Sequence, residues 1–303
     1  MALHSVDETV SLLVVGPARE WQSVLPSGLQ TAVDWAHNAG QAIVRLINKP
    51  YHLILIDHTS KGEVTEEQIA YLRAIQAIRP EAKAIVLVSS STTRKVLEAL
   101  RYGVFAYFSR PFEPSAVRDA IEQALSSATR ADGIELLSAG PEFISVRLRC
   151  RLQTADRLAH FIAEIPSALT EDDRLDLSTA FREMLLNAIE HGGKLNPNEW
   201  VRVSRVRTRR TLVYHIVDPG EGFMRKDLTH AAIANPMDDP LAHVEVREAR
   251  NIRPGGFGML IASRSVDEVI YNEQGNEVIL IKHLEEHPLN TGSRNHSFEQ
   301  AGN

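Results

Sequence analysis

The chain has 303 residues, 44% of them hydrophobic and 24% charged, enough for two ordinary domains with a core each. A formal net charge of -6 argues against a broad basic surface for nucleic acid, so no direct nucleic-acid partner is expected. Cys150 is the single cysteine, which excludes an intrachain disulfide and a cysteine-rich zinc cluster.

The N-terminus "MALHSVDETV" has no basic-then-apolar signal pattern, and no apolar run approaches the roughly 18 residues of a spanning helix. The expectation is a soluble cytoplasmic protein without membrane contact. "SLLVVG", "YHLILID", "KAIVLVSS" and "VFAYFSRP" are short apolar runs of the kind found in buried parallel strands. Helical stretches lie between them, including "TEEQIAYLRAIQAI" and "TTRKVLEALRYG", and "EPSAVRDAIEQALSSA" closes the unit near residue 128. This alternation predicts a doubly wound, flavodoxin-like α/β domain over 1–128. "TRADGIELLSAGPEF" has no clear period, and 129–141 is expected to be a linker.

From "ISVRLRCRL" the pattern changes to a strand, two helices ("ADRLAHFIAEIPS" and "DRLDLSTAFREMLLNAIEHGG") and the hairpin "WVRVSRVRTRRTLVYHIVD". A polar stretch over 224–254, a glycine-rich turn, a short helix and a hairpin across "EQG" complete a second domain over 142–284. The tail 285–303 is polar and is expected to be disordered.

In "FREMLLNAIEHGGKL" the residues Glu183, Asn187 and His191 recur at steps of four, which aligns them on one helical stripe, with Leu185, Leu186 and Ile189 turned towards a core. The stripe is either a solvated face with an ordinary glycine stop or one wall of a site. "HIVDPGEGF" ends a strand with Asp218 and glycines two apart, Gly220 and Gly222, where backbone can approach a flat ligand. An ordinary tight turn has the same look. "RPGGFGMLIASRSVDEV" sets Gly255, Gly256 and Gly258 before a helix start, an anion site in principle but without P-loop Lys-Ser/Thr.

Together, in this order, the three stretches resemble the GHKL (Bergerat-fold) ATPases, an α/β sandwich, over about 142–284. "NAIEHGG" and "GGFGMLIASRSVDEVIYNEQGNEVILIK" look most like the serine-kinase anti-sigma factor branch. The resemblance implies ATP and Mg2+ as cofactors. Asn187 would ligate Mg2+, Glu183 would act as general base, and Asp218 would receive the adenine amino group. Gly220 and Gly222 would flank the base, while Gly255, Gly256 and Gly258 would present amides to the phosphates. His191 is either a further nucleotide contact or a helix-end polar residue. The stretch 224–254 would be the ATP lid, with Arg250 or Arg253 closing on the terminal phosphate.

Residues 10–128 resemble the receiver domain of response regulators. Asp57 stands at the phosphoacceptor position, Ser89 follows the fourth strand, and "YFSRPF" matches the family's aromatic and Lys-Pro region. Gly16-Pro17 replaces the acidic metal-binding pair and Arg110 replaces the lysine, so a pseudo-receiver used for docking or dimerisation is expected. Tyr107 and the face after the fourth strand are expected contact surfaces.

These resemblances imply an ATP-dependent protein-serine kinase in a partner-switching pathway, with a sigma factor or similar client and an antagonist protein as partners, and a homodimer through either domain. The alternative is an ATP-gated binding regulator without effective phosphotransfer. A histidine kinase would need a dimerisation segment with a phosphorylatable histidine, and His160 is followed by Phe161 rather than an acidic residue.

Overall fold

A computed structural model describes residues 10–16, 25, 33–59, 66–126, 133–223 and 257–284. The first unit contains β1 (Leu12–Val15), β2 (Val33–Ala36), α1 (Ala39–Asn48), β3 (Leu53–His58), α2 (Glu66–Ile78), β4 (Lys83–Val88), α3 (Thr93–Arg101), β5 (Ala106–Ser109) and α4 (Pro114–Ser126). Its strands form one parallel sheet in the order β2-β1-β3-β4-β5, the flavodoxin-like order. β1 and β4 are buried at every position, because side chains leave a strand to both faces and both faces are covered. Leu13, Ile54, Ile56 and Val86 feed one core with α1 to α3, while Leu12, Leu53, Leu55 and Leu87 feed the other with α4.

Local sequence sets the helix starts. Asn38 and Thr92 accept hydrogen bonds from the amides of Gln41 and Lys95, capping α1 and α3. Gly103 takes a φ of 61° after α3, a left-handed turn in which glycine carries no side-chain penalty.

The second unit is a six-stranded antiparallel sheet. It comprises β6 (Ile134–Ala139), β7 (Phe143–Arg149), β8 (Trp200–Arg207), β9 (Thr211–Val217), β10 (Glu268–Tyr271) and β11 (Glu277–His283), in the order β10-β11-β9-β8-β7-β6. The helices α5 (Leu152–Ala163), α6 (Glu171–Asn187) and α7 (Gly258–Ser265) supply the rest. Leu212, Tyr214 and Ile216 alternate inward along β9, and Phe181 of α6 meets Tyr214 with ring centroids 4.9 Å apart. Each such large buried side chain contributes about 1.5–3 kcal/mol. Thr170 and Asp173 cap α6 reciprocally, below an acidic first turn that complements the helix dipole.

The stretch 129–141, expected to be a linker, is corrected in its second half: 134–139 is the edge strand β6, paired antiparallel with β7. A register shift between Leu136 and Ser138 breaks the two-residue alternation, which hides the strand from a pattern search. The 224–254 stretch, Arg250, Arg253, Gly255, Gly256 and the tail lie outside the described residues.

Candidate nucleotide site

The site is built from the C-terminal end of α6, the loop after β9 and the start of α7. Glu183 and Asn187 lie one α-turn apart and are half-buried. After Asn187 the helix widens into a single π-turn over Ala188–Gly192. The widened turn takes the chain off the four-residue stripe, leaves His191 exposed, and drives Gly192 into the strand end that carries Asp218. A methyl group added at Gly192 would lie 2.2 Å from Asp218 Cγ, and one at Gly193 would lie 2.1 Å from Cys150 Sγ. The double glycine is therefore a close-packing device. Gly193 has a φ of -84°, and the left-handed residues of the turn are Lys194 and Leu195. Burial pushes the Cys150 thiol up to about 11, so it packs as an apolar side chain and is inert as a nucleophile.

Asp218 directly follows β9, and its Oδ1 accepts the Gly220 amide at 2.8 Å. Burial raises its pKa, and the Gly220 hydrogen bond offsets this in part. Gly222 has a φ of 80°, and a methyl group there would lie 2.0 Å from the Gln274 carbonyl oxygen. The turn between β10 and β11 thus braces the loop after β9. Asn272 Oδ1 organises that turn by accepting the amides of Gly275, Asn276 and Glu277, and the Asn276 carbonyl accepts the Asp218 amide at 3.0 Å. Asn272 and Asn276 escaped the sequence reading, although the composition of "NEQGN" marks a turn of this kind.

The start of α7 closes the arrangement. A methyl group at Gly258 would lie 2.7 Å from Glu183 Oε2 and 3.6 Å from Asn187 Nδ2. With no side chain at Gly258, the first turn of α7 comes close to these two polar side chains as they stand. Among the described residues, no group of three or more His, Cys, Asp or Glu is placed to hold a metal ion. A side-chain amide and a carboxylate beside a helix start suit Mg2+, which is held largely by water and substrate phosphates and by few protein groups.

The second cluster lies at the carboxyl ends of β3, β4 and β5. Asp57 is buried, its Oδ1 accepts the Thr59 amide at 2.8 Å, and Arg110 Nη2 donates to Thr59 Oγ1 at 3.1 Å. Ser89 lies just past β4, on the strand that pairs Leu87 with Asp57. Gly16, with φ at 139°, packs so closely that a methyl group would lie 2.9 Å from both Asp57 Cβ and its carbonyl oxygen. No side chain of any kind fits there.

The Asp218 carboxylate carries a desolvation penalty, and its folded pKa lies above the ordinary 3.8. Its stability contribution is therefore lost as pH rises through the folded value. Asp218→Asn keeps the Gly220 hydrogen bond without the charge. The nucleotide-free variant is expected to melt higher than the wild type at pH 7, the gap closing below the unfolded carboxylate value, while adenine-nucleotide affinity falls about tenfold. Scanning calorimetry at both pH values, with titration of ATP, checks both halves.

The chain joins an ATPase-like domain to a receiver-like domain. Residues 148–282 match the family model of the histidine kinase-like ATPase domain, and this part of the chain is such a domain. The N-terminal part is similar to the transcriptional regulatory protein ZraR of Salmonella typhimurium, 29% identical over 104 residues, covering 34% of this chain and 23% of the relative. The uncharacterized transcriptional regulatory protein YesN of Bacillus subtilis is 23% identical over 126 residues, covering 42% of this chain and 32% of the relative. The chain thus spans only a quarter to a third of these relatives. Among solved structures, a CheY-like response regulator receiver domain protein from Methanospirillum hungatei aligns at 21% identity and a TM-score of 0.34, covering 39% of this chain and 94% of that one. A response regulator from Thermotoga maritima aligns at 21% identity and a TM-score of 0.33, covering 39% and 99%. No helix among the described residues is long and apolar enough to cross a membrane.

Proposed function

We propose that this protein is an ATP-binding signalling regulator of the anti-sigma-factor type that phosphorylates a serine hydroxyl on a partner protein. The observation that carries the proposal is the contact of Gly258 with Glu183 and Asn187, which joins a helix-start anion site to a carboxylate and an amide. In this reading the α7 amides bind the phosphates, and the Asn187 amide oxygen binds Mg2+, which supplies charge neutralisation on the transferring phosphoryl group. Glu183 takes the proton of the attacking hydroxyl, and Asp218 accepts from the adenine amino group. A sigma factor or similar client and an antagonist are the partners of this reading. We place the domain boundary between residues 126 and 134. Asp57 and Arg110 form a pseudo-receiver cluster, since Gly16 stands where a metal-binding carboxylate would be needed.

The placement of His160 favours this over a histidine kinase: it sits on α5 within the second unit, with Nε2 2.7 Å from the Tyr107 carbonyl oxygen. The reading is tested with labelled ATP and a candidate antagonist. Glu183→Gln is expected to slow transfer about 100-fold with ATP affinity little changed. Transfer at the wild-type rate would remove Glu183 from the role.

A further inference from the structure

β5 is an edge strand of the first sheet, and among the described residues its outer edge is met by α5 of the second unit. An edge left open presents unpaired backbone groups, so a specific cover calls for an explanation. Three side chains on one face of α5 and its C-terminal cap take every second residue of 105–109, β5 and the residue before it. Arg157 Nε donates to the Phe105 carbonyl at 2.8 Å. His160 Nε2 lies 2.7 Å from the Tyr107 carbonyl and, since that atom only accepts, carries the proton. Glu164 accepts from the Ser109 amide at 3.1 Å and from Ser109 Oγ at 2.6 Å. Aromatic contact backs the polar one, with Arg157 over the Phe105 ring at 4.1 Å and Phe108 against His160 at 4.4 Å. Ser109 directly precedes Arg110, which reaches the Thr59 hydroxyl beside Asp57.

The residue beside Arg157 points the other way. Asp156 Oδ1 receives Arg182 Nε at 2.9 Å and Nη2 at 2.7 Å, while Arg182 Nη1 lies 3.8 Å from Glu183 Oε1. Asp156 and Arg182 are both partly exposed, so this pair adds little to stability. Nε and Nη2 share the one oxygen of Asp156, which leaves Nη1 on the Glu183 side of the guanidinium.

We propose that α5 is a coupling helix: the seating of β5 on one of its faces holds Arg182 against Glu183 through Asp156 on another. Asp156 and Arg182 are then positioning residues for the reaction, and the seating of residues 105–109 on α5 reaches Glu183 by this route. The inference rests on the role given to Glu183 above.

The test uses the full chain with Mg-ATP, reading hydrolysis, KM and amide hydrogen exchange by mass spectrometry. Asp156→Asn and Arg182→Gln are each expected to lower kcat about threefold to tenfold with KM unchanged, and Arg182→Lys to restore part of the loss. Glu164→Ala is expected to speed exchange over 105–109 and to lower kcat by a similar factor. Combining it with Asp156→Asn should add no further loss, because both cut the same chain. Ser109→Ala, which removes only the hydroxyl donor, replaces Glu164→Ala if that variant does not fold. Unchanged kcat in Asp156→Asn, or losses that multiply in the double variant, would overturn the coupling. If Glu183→Gln hydrolyses ATP like the wild type, the role of Glu183 falls separately. Exchange over 182–187 then decides the coupling: faster in Glu164→Ala upholds it, and unchanged overturns it.

Discussion

Asn187→Ala is expected to weaken magnesium-dependent ATP binding about 100-fold, or close to 3 kcal/mol. Asn187 is the last residue of α6 before the π-turn, so its backbone is held by α-helical bonds on one side and the packed Gly192 and Gly193 on the other. The side chain is thereby aimed at the Gly258 end of α7. Alanine suits a helix, and the fold is expected to be unaffected. What is lost is the single neutral oxygen proposed for the metal, and among the described residues no group of three or more His, Cys, Asp or Glu is placed to hold one instead. Titration calorimetry with ATP in magnesium and in EDTA separates the terms: the variant should match the wild type in EDTA and fall behind only in magnesium. Equal affinities in both buffers would take the metal away from Asn187.

Gly222→Ala is expected to destabilise the second unit by about 3–4 kcal/mol, lowering its melting midpoint by roughly 10 °C. Two costs combine. The φ of 80° is left-handed and strains any residue with a Cβ, by about 1–2 kcal/mol. The added carbon also lies 2.0 Å from the Gln274 carbonyl oxygen, a backbone atom that cannot swing aside as a side chain would. Gly275 answers from the other side, with φ at 81° and a methyl group there meeting the Phe223 carbonyl oxygen at 2.3 Å. The two glycines interlock the loop after β9 with the turn between β10 and β11. Gly140→Ala, where nothing lies within 4 Å, serves as the control and should melt like the wild type. If Gly222→Ala keeps its melting midpoint and loses only nucleotide affinity, the glycine makes room for a ligand and not for the fold.

Much of the first unit was legible because its strands are buried on both faces and so read as unbroken apolar runs, from "SLLVVG" to "VFAYFSRP". β2, "VDWA", was not picked out: it is an edge strand, only half-buried, with a charge in the middle. β6 was taken for a linker for a related reason, an edge strand with a register shift and two adjacent leucines. The polar stripe on α6 was legible as far as Asn187. Beyond that point the period no longer applies, because a four-residue step assumes an α-helix and His191, left open between a nucleotide contact and a helix-end residue, falls in the π-turn.

Residue identity and spacing alone determined which groups this protein has available: a carboxylate and an amide one helical turn apart, an aspartate closing a strand, and glycines ahead of a helix. Those are local properties, set by the repeat of the helix and the alternation of the strand. Only the tertiary structure decided that Gly258 abuts Glu183, that Gly192 abuts Asp218, and that Arg157, His160 and Glu164 take the edge of β5. The closest of these pairs is 26 residues apart in the chain, Gly192 to Asp218, and the farthest is 75, Glu183 to Gly258. No periodicity spans such a separation: the encounters follow from how helices and sheet pack to bury their apolar faces, and local pattern does not encode that packing.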